Sequence, residues 1–254
     1  MSTTAAIVPS SKGNLAVVIN TPEPTTGRLA VLCPGFLDSK DYAGLVGLAE
    51  ALCSRGYTVV RFDPTGTWDS DGDIADYSTT QYLIDIRAVI EFMLTHGLHN
   101  HILLGGHSRG AGVSLSYAAT DPRISAVLAI MPSSGRPLSD ERRQRWQTSG
   151  VWTNHRDLPT DPMMTRVFHV PYTFQLDRDR YDVAQAVQSL HIPILFVAGE
   201  LDTLVLPEYV QALFDQANEP KRFLLIPGIG HDYRKSDEEV KAVTDKIMAT
   251  INFL

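Results

Sequence analysis

The sequence predicts one α/β domain with a mostly parallel central sheet and helices on both faces. Short apolar runs alternate with amphipathic segments over most of the chain, which is the pattern of such a sheet. The 254 residues are 44% hydrophobic and 20% charged, so the chain can bury a sizeable core. Residues 132–180 interrupt the alternation and are far longer than one crossover needs. We expect them to form a cap.

The first half of the chain predicts five strands and two helices. Two β-prone runs flank a polar loop that is typical of a hairpin. Ser78 with Gln81 three residues later is the capping-box pattern that begins a helix, and Gly56 is placed to end one. The predicted strands are residues 5–8, 15–19, 28–33, 57–62 and 102–105, and the predicted helices are residues 42–54 and 78–96.

The second half continues the alternation on either side of the expected cap. Strands are predicted at residues 124–131, 192–198 and 222–226, and helices at residues 110–119, 208–218 and 238–251. Residues 1–131 and 181–254 would then form the core, with the cap inserted between the sixth and seventh predicted strands. The cap is rich in aromatic residues, which need a surface to pack on. We interpret its arginines Arg142, Arg143 and Arg145 as a solvated helix face; an acidic substrate is the alternative.

Composition excludes several classes of partner. The net charge is −7, which favours neither nucleic acid nor an anionic membrane surface. No run of about eighteen apolar residues predicts a transmembrane helix. The N-terminal residues lack the basic and apolar regions of a secretory signal, so we expect a cytoplasmic protein. The two cysteines are too few for a disulfide framework.

No metal site is expected. Asp69, Asp71 and Asp73 alternate as in a calcium loop, but Ile74 and Thr80 stand where that loop needs glycine and glutamate. We interpret the three carboxylates as a solvated acidic turn.

The segment Gly106-His107-Ser108-Arg109-Gly110 carries the G-x-S-x-G pattern between an apolar run and a helix-forming run. A serine on so sharp a turn is held in an unfavourable backbone conformation, and the glycines let the neighbouring backbones pass closely. The helix N-terminus behind it favours developing negative charge. The pattern predicts Ser108 as a nucleophile.

Such a serine needs a base and an acid that orients the base. Asp202 follows the predicted strand 192–198, and His231 follows the strand 222–226 after a glycine-rich turn. Because the carboxyl ends of parallel strands meet at one edge of a sheet, both should reach Ser108. Glu200 offers the same chemistry as Asp202 and stays open as an alternative acid.

Acyl transfer also requires backbone N–H groups that bind the oxyanion of the transition state. One should come from Arg109, the residue after the nucleophile. The other should come from Phe36, in the Pro34-Gly35-Phe36 loop after the third predicted strand. We expect the side chain of Arg109 to form a surface or cap ion pair.

The chain resembles the serine α/β-hydrolase superfamily and, within it, small esterases that include bacterial cinnamoyl (feruloyl) esterases and monoglyceride-lipase-like enzymes. This resemblance implies an α/β-hydrolase fold, a Ser108–Asp202–His231 triad and oxyanion-hole amides from Phe36 and Arg109. The matching segments are Cys33-Pro34-Gly35-Phe36, residues 61–72, Gly106-His107-Ser108-Arg109-Gly110, residues 199–202 and residues 228–231.

The sequence departs from this family pattern at two positions. Pro34 stands where the family usually has histidine, so the support of the loop must differ. Trp68 stands where the family has a small residue and could narrow the pocket.

We therefore expect a carboxylic ester hydrolase that needs no cofactor or metal and acts on small to medium esters, aromatic hydroxycinnamate-like ones included. Leu37, Trp68, Trp152 and Tyr172 are the candidate pocket residues. The alternatives are a thioesterase, an amidase or peptidase, an acyltransferase or a perhydrolase on the same triad, and a binding protein that only holds a ligand. A homodimer is one assembly that the sequence leaves open.

Overall fold

The computed structural model describes residues 1–97, 99–133 and 139–254. The strands are β1 (Ser2–Ser10), β2 (Gly13–Thr21), β3 (Arg28–Cys33), β4 (Tyr57–Phe62), β5 (His101–His107), β6 (Ala126–Ile130), β7 (Val151–Leu158), β8 (Asp161–Pro171), β9 (Ile194–Gly199) and β10 (Lys221–Ile226). The α-helices are α1 (Ala43–Ser54), α2 (Thr79–His96), α3 (Arg109–Ala118), α4 (Asp140–Ser149), α5 (Thr173–Arg178), α6 (Val183–Ser189), α7 (Pro207–Gln216) and α8 (Asp237–Thr250).

Eight of these strands form one sheet in the order β1-β2-β4-β3-β5-β6-β9-β10. β1 and β2 pair antiparallel, β2 is antiparallel to β4, and every pairing from β4 to β10 is parallel. The predicted mostly parallel sheet is thus confirmed. Its parallel strands place the carboxyl ends of β3, β5, β9 and β10 along one edge.

Helices cover both faces of the sheet, because alternate residues of the inner strands point to opposite sides. In β3, Val31 and Cys33 belong to a buried cluster that includes apolar residues of α2, α3, α6 and α7. Their neighbours Ala30 and Leu32 belong to a second cluster with α1 and α8. The two clusters are the two layers of the core.

The ends of the first helices follow the sequence signals only in part. Ser78 accepts a hydrogen bond from Gln81 N at 3.0 Å, as a helix cap should. The Gln81 side chain donates to Asp85 instead of returning to Ser78, so the reciprocal half of the box is replaced by a contact within α2. Gly56 follows α1 with a φ of 89°, which favours glycine.

β1 and β2 are longer than the predicted runs of residues 5–8 and 15–19. They pair from Ser2 with Thr21 to Ser10 with Gly13. Most residues of β1 are exposed, as befits an edge strand, and such residues carry no apolar signal that would extend the prediction.

The chain between β6 and α6 contains α4, the antiparallel hairpin β7–β8, and α5. This region corresponds to the expected cap, although residues 134–138 of it lie outside the described part. The hairpin was not predicted, because the half-buried positions of β7 include polar residues such as Asn154 and Arg156. α4 is largely exposed, with Trp146 as its buried residue.

The cap is tied to α2 through its last helix. Asp177 of α5 accepts hydrogen bonds from the N–H groups of Thr79 and Thr80 at 2.7 and 2.9 Å. These are the first residues of α2, whose free amides attract a negative charge. No helix in the described ranges combines the length and apolar character needed to cross a bilayer.

Candidate active site

Ser108 lies on the sharp turn between β5 and α3. Its φ of 53° and ψ of −116° are unfavourable for a residue with a side chain. The Ser108 N–H donates to Ile130 O of the neighbouring strand β6 at 2.8 Å. The strain persists because the sheet and helix fix the turn on both sides.

The glycines on either side of Ser108 are required by close backbone contacts. A Cβ at Gly110 would lie 2.0 Å from the carbonyl oxygen of Cys33, and one at Gly106 would lie 2.4 Å from the same atom. Such distances are well inside van der Waals contact. Only glycine therefore lets β5 and α3 approach β3 this closely.

The structure brings together the three side chains predicted to act as nucleophile, base and acid. Ser108 Oγ lies 2.9 Å from His231 Nε2, and His231 Nδ1 lies 2.7 Å from Asp202 Oδ2. Each side chain comes from a loop or turn at the carboxyl end of a different strand, namely β5, β9 and β10. The result is one continuous hydrogen-bonded chain.

Asp202 is held as a carboxylate. It is 2% exposed, and its Oδ1 accepts from the N–H groups of Leu204 and Val205 at 2.8 Å each. Burial would raise the pKa of Asp202, but the hydrogen bond from His231 and these two amides lower it below its ordinary value.

Glu200, the alternative acid, is used elsewhere. It is exposed, and its Oε2 accepts from the N–H of Gly228 at 2.9 Å. The carboxylate that reaches His231 therefore belongs to Asp202, while Glu200 steadies the turn that leads to the histidine.

The backbone N–H groups of Phe36 and Arg109 have no hydrogen-bond acceptor among the described residues. Phe36 lies in the loop after β3, where Leu37 adopts a φ of 56°. Three aromatic side chains support this loop: Tyr82 Oη donates to Pro34 O at 2.9 Å, Trp68 Nε1 donates to Leu37 O at 3.0 Å, and Leu37 N donates to Tyr77 Oη at 3.2 Å.

Arg156, on strand β7 of the cap, binds the same loop. Its Nη2 donates to the carbonyl oxygen of Phe36 and to Asp38 Oδ1, the latter at 2.6 Å. Burial would raise the pKa of Asp38, but His107 and Arg156 lower it. No local motif marks Arg156, so sequence reasoning missed it.

His107 precedes Ser108, and its ring centroid lies 4.7 Å from that of His231. Burial lowers the pKa of His107, although Asp38 Oδ2 lies 3.8 Å from its Nδ1 and opposes this effect. His107 therefore stays neutral near pH 7 and adds no positive charge beside His231.

The far end of the loop is fixed by a buried lysine. Lys40 N and Nζ donate to the two oxygens of Asp63 at 2.7 and 2.9 Å, and Nζ also reaches Asp69 at 2.6 Å. Burial would lower the pKa of Lys40, but Asp63 and the other nearby carboxylates raise it. Lys40 therefore stays charged and holds the loop to the end of β4.

A cavity of about 250 Å³ opens beside Ser108. Of the predicted pocket residues, Trp152 lines it. Leu37 and Trp68 are instead buried in the support of the loop after β3, and Tyr172 contacts Trp146 with ring centroids 6.0 Å apart. The described lining is Phe36, Ser108, Arg109, Ser133, Arg142, Trp146, Trp152, Asn154, Phe174, Gln175 and Arg178.

The predicted surface or cap ion pair of the Arg109 side chain is wrong. The residue is 7% exposed, and its guanidinium carbon lies 4.4 Å from the ring centroid of Phe174 and 5.1 Å from that of Tyr77. Every residue of α3, including Arg109 at its first position, is buried.

Comparison with known proteins agrees with this architecture. The model of the α/β hydrolase fold family matches residues 30–180. The chain is 26% identical over 249 residues to the polyketide transferase grgF of a Penicillium species, with 83% of each chain covered. It is 22% identical over 182 residues to the mouse mitochondrial palmitoyl-protein thioesterase ABHD10, covering 69% of this chain and 59% of that protein. The chain thus spans less than two thirds of that relative's length.

Solved structures give the same result for the fold. The ferulic-acid complex of Est1E from Butyrivibrio proteoclasticus superposes with a TM-score of 0.80 at 21% identity over 98% of each chain. GrgF from Penicillium superposes with a TM-score of 0.79 at 23% identity over 100% of this chain and 98% of that one. With more than half of its length matched by the family model, this chain belongs to the α/β hydrolase fold family.

Proposed function

We propose that this protein hydrolyses carboxylic esters through a covalent acyl-enzyme on Ser108. The observation that carries the proposal is the hydrogen-bonded chain from Ser108 through His231 to Asp202, with distances of 2.9 and 2.7 Å, beside a cavity. A hydroxyl in contact with an imidazole oriented by a carboxylate is the arrangement that activates serine.

In the first step, Ser108 Oγ attacks the acyl carbonyl carbon and its proton passes to His231 Nε2. The carbonyl electron pair moves onto oxygen, and the N–H groups of Phe36 and Arg109 bind the resulting oxyanion. In comparable enzymes one such donor contributes roughly 3–4 kcal/mol to transition-state binding. Asp202 stabilises the imidazolium that forms.

In the second step, the oxyanion reforms the carbonyl and the bond to the alcohol breaks. His231 returns its proton to the departing alcohol oxygen, which leaves an ester on Ser108. Water then attacks this ester, with His231 again taking and returning the proton. The cycle uses only groups of this chain and water.

The cavity supports small to medium acyl groups, aromatic ones included. Its walls carry the rings of Phe36, Trp146, Trp152 and Phe174, and aromatic faces suit flat apolar groups. Hydroxycinnamate-like esters are the first substrates to assay, since ferulic acid is bound to the structurally similar Est1E.

A second candidate is acyl transfer from a thioester, with water or another nucleophile as the acceptor. It is favoured by two relatives, one named a palmitoyl-protein thioesterase and one a polyketide transferase. The same triad serves both reactions, so the difference lies in the leaving group and the acceptor.

The test compares Ser108→Ala with Ser116→Ala, which removes a hydroxyl of α3 that donates to Gly112 O. We expect Ser108→Ala to lower 4-nitrophenyl ester turnover by about 10,000-fold or more and to abolish labelling by a fluorophosphonate. Ser116→Ala should keep both. Unlabelled wild-type protein would instead favour a binding protein.

Matched ester, thioester and amide substrates separate the two candidates. We expect kcat/KM to be highest for the ester, and a thioester preference would replace the first candidate with the second. A cytoplasmic location and a homodimer stay predictions, which cell fractionation and sedimentation can test.

A further inference from the structure

The side chain of Arg109 is buried with two donors unused. Its Nη1 donates to Thr79 Oγ1 at 3.3 Å, while Nε and Nη2 are buried and have no acceptor among the described residues. Arginine stays protonated in proteins, so this is a buried positive charge. Leaving charged donors unpaired costs free energy, and an anion would recover it if a shift of the side chain brought these nitrogens to the cavity wall.

The two unused nitrogens share one edge of the guanidinium. Nε–H and one N–H of Nη2 point the same way, so the pair can donate two parallel hydrogen bonds to a carboxylate or a phosphate. The faces of the guanidinium lie against the rings of Phe174 and Tyr77, which fix its plane. Arg109 also lines the cavity beside Ser108.

All charged side chains in the described lining of the cavity are positive. Arg142 and Arg178 line it with Arg109, and none of the described lining residues is acidic. Burial, together with the charge of Arg109, lowers the pKa of Arg178.

We propose that the cavity selects acyl substrates that carry an anionic group, a carboxylate or a phosphate, and that the guanidinium of Arg109 binds it after a shift of the side chain brings its Nε–Nη2 edge to the cavity wall. Arg142 and Arg178 add positive potential around the same space. The inference deepens the proposed function, on which it rests, by naming the substrate class. Aromatic walls beside the guanidinium of an arginine suit a substrate with an apolar body and a charged end.

The first experiment compares two acyl groups of similar length. These are 4-nitrophenyl hydrogen adipate, which ends in a carboxylate, and its methyl ester, which does not. We expect wild-type kcat/KM to favour the carboxylate by about 10- to 100-fold, and high salt to reduce the ratio. A ratio near one, or a preference for the methyl ester, would overturn the proposal for the acyl side.

A second arm places the charge on the leaving group. Butyryl-coenzyme A carries phosphates, and butyryl-N-acetylcysteamine is its neutral counterpart. A preference for the coenzyme A ester identifies phosphate on the thiol side as the bound anion. Absence of any preference in both arms refutes the proposal.

Substitution at position 109 links the preference to the guanidinium. Arg109→Met should reduce the substrate ratio to about one, and Arg109→Lys, which keeps the charge without the two-donor edge, should give an intermediate ratio. Arg145→Gln is the matched control, because Arg145 is a highly exposed arginine of α4 paired with Glu141. Its ratio should equal that of the wild type, and an unchanged ratio in both Arg109 variants would contradict the assignment.

A binding measurement separates failure of this inference from failure of the proposed function. Titration calorimetry of Ser108→Ala protein with monomethyl adipate and with dimethyl adipate needs no turnover and no folded Arg109 variant. Tighter binding of the anion supports the inference even if no ester is hydrolysed. Equal or weaker binding refutes it for the acyl side even if hydrolysis is observed, and the same comparison of coenzyme A with N-acetylcysteamine decides the thiol side.

Discussion

Two regions meet at Ser108, and different forces hold them in place. The edge of the central sheet is fixed by backbone contact, as where Gly106 and Gly110 lie against the carbonyl oxygen of Cys33. The cap is fixed by charged side chains, such as Arg156 on Asp38 of the core. Close backbone contacts leave almost no room for added volume. An ion pair, in contrast, holds two segments together only while both side chains are present and ionised.

A second charged contact of the cap shows the contrast. Arg234, beyond β10, donates two hydrogen bonds to Asp157 of β7 at 2.8 and 2.7 Å, and its guanidinium carbon lies 3.8 Å from the ring centroid of Tyr42. Tyr42 Oη in turn donates to Asp157 O. We therefore expect substitutions at the sheet edge to lower catalysis strongly and substitutions in the cap to have smaller effects.

The largest effect is expected at Asp202, the acid of the proposed triad. Asp202→Asn should lower kcat by about 10,000-fold with little change in stability, because an amide no longer stabilises the imidazolium of His231. Glu200→Gln is the matched control and should lose less than about twofold, as a surface change does. If Glu200→Gln had the larger effect, the acid would be wrongly assigned. Steady-state kinetics on a 4-nitrophenyl ester measures both.

The second effect tests whether the cap shapes the loop after β3, whose Phe36 N–H is proposed to bind the oxyanion. Arg156→Met removes the hydrogen bond to Phe36 O, so kcat should fall by about 10- to 100-fold while KM changes less. Arg143→Gln breaks an ion pair inside the cap, with Asp179, and is the control. Equal kcat values for the two variants would show that the loop holds its position without Arg156.

The third effect is on stability. Arg234→Met leaves Asp157 without its partner, and we expect the free energy of unfolding in urea to fall by about 2 kcal/mol, since the pair is only partly buried. In a double-mutant cycle with Asp157→Asn, the coupling energy should be about 1 kcal/mol or more. A coupling near zero would mean that the aromatic contact with Tyr42, not the ion pair, fastens this end of the cap.

The smallest effect is the pH dependence of the same contact. The hydrogen bonds from Arg234 lower the pKa of Asp157 to about 2. A lowered folded-state pKa means that the stabilisation is complete above the unfolded value of about 4 and is lost as the pH falls through about 2. Wild-type protein should therefore lose about 1–2 kcal/mol of unfolding free energy through this group between about pH 5 and pH 2.

Asp157→Asn is the check on that pH dependence. The variant should start less stable and show a shallower decline in acid, measured by urea unfolding at each pH. A decline as steep as that of the wild type would place the acid sensitivity in other carboxylates, such as Asp121, whose pKa the hydrogen bonds from Arg123 lower to about 2.

The difference between the sheet edge and the cap also explains which features could be predicted from the sequence. Ser108, Asp202 and His231 each follow a predicted strand, so a parallel sheet alone brings them to one edge. Arg156 and Asp38 are 118 residues apart, and nothing near either residue indicates the other. The hairpin β7–β8 and the burial of the Arg109 side chain likewise depend on distant packing. Leu37 and Trp68, predicted as pocket residues, are instead buried in the support of the loop after β3.

One contact of the cap reaches beyond catalysis. Asp177 supplies a negative charge to the first amides of α2, Thr79 and Thr80, which belong to the core. Protein engineers who excise the cap or graft it onto another scaffold would also remove the acceptor of these two amides from a core helix. The insertion is therefore not an interchangeable module, and chimeras should carry α2 and the cap together.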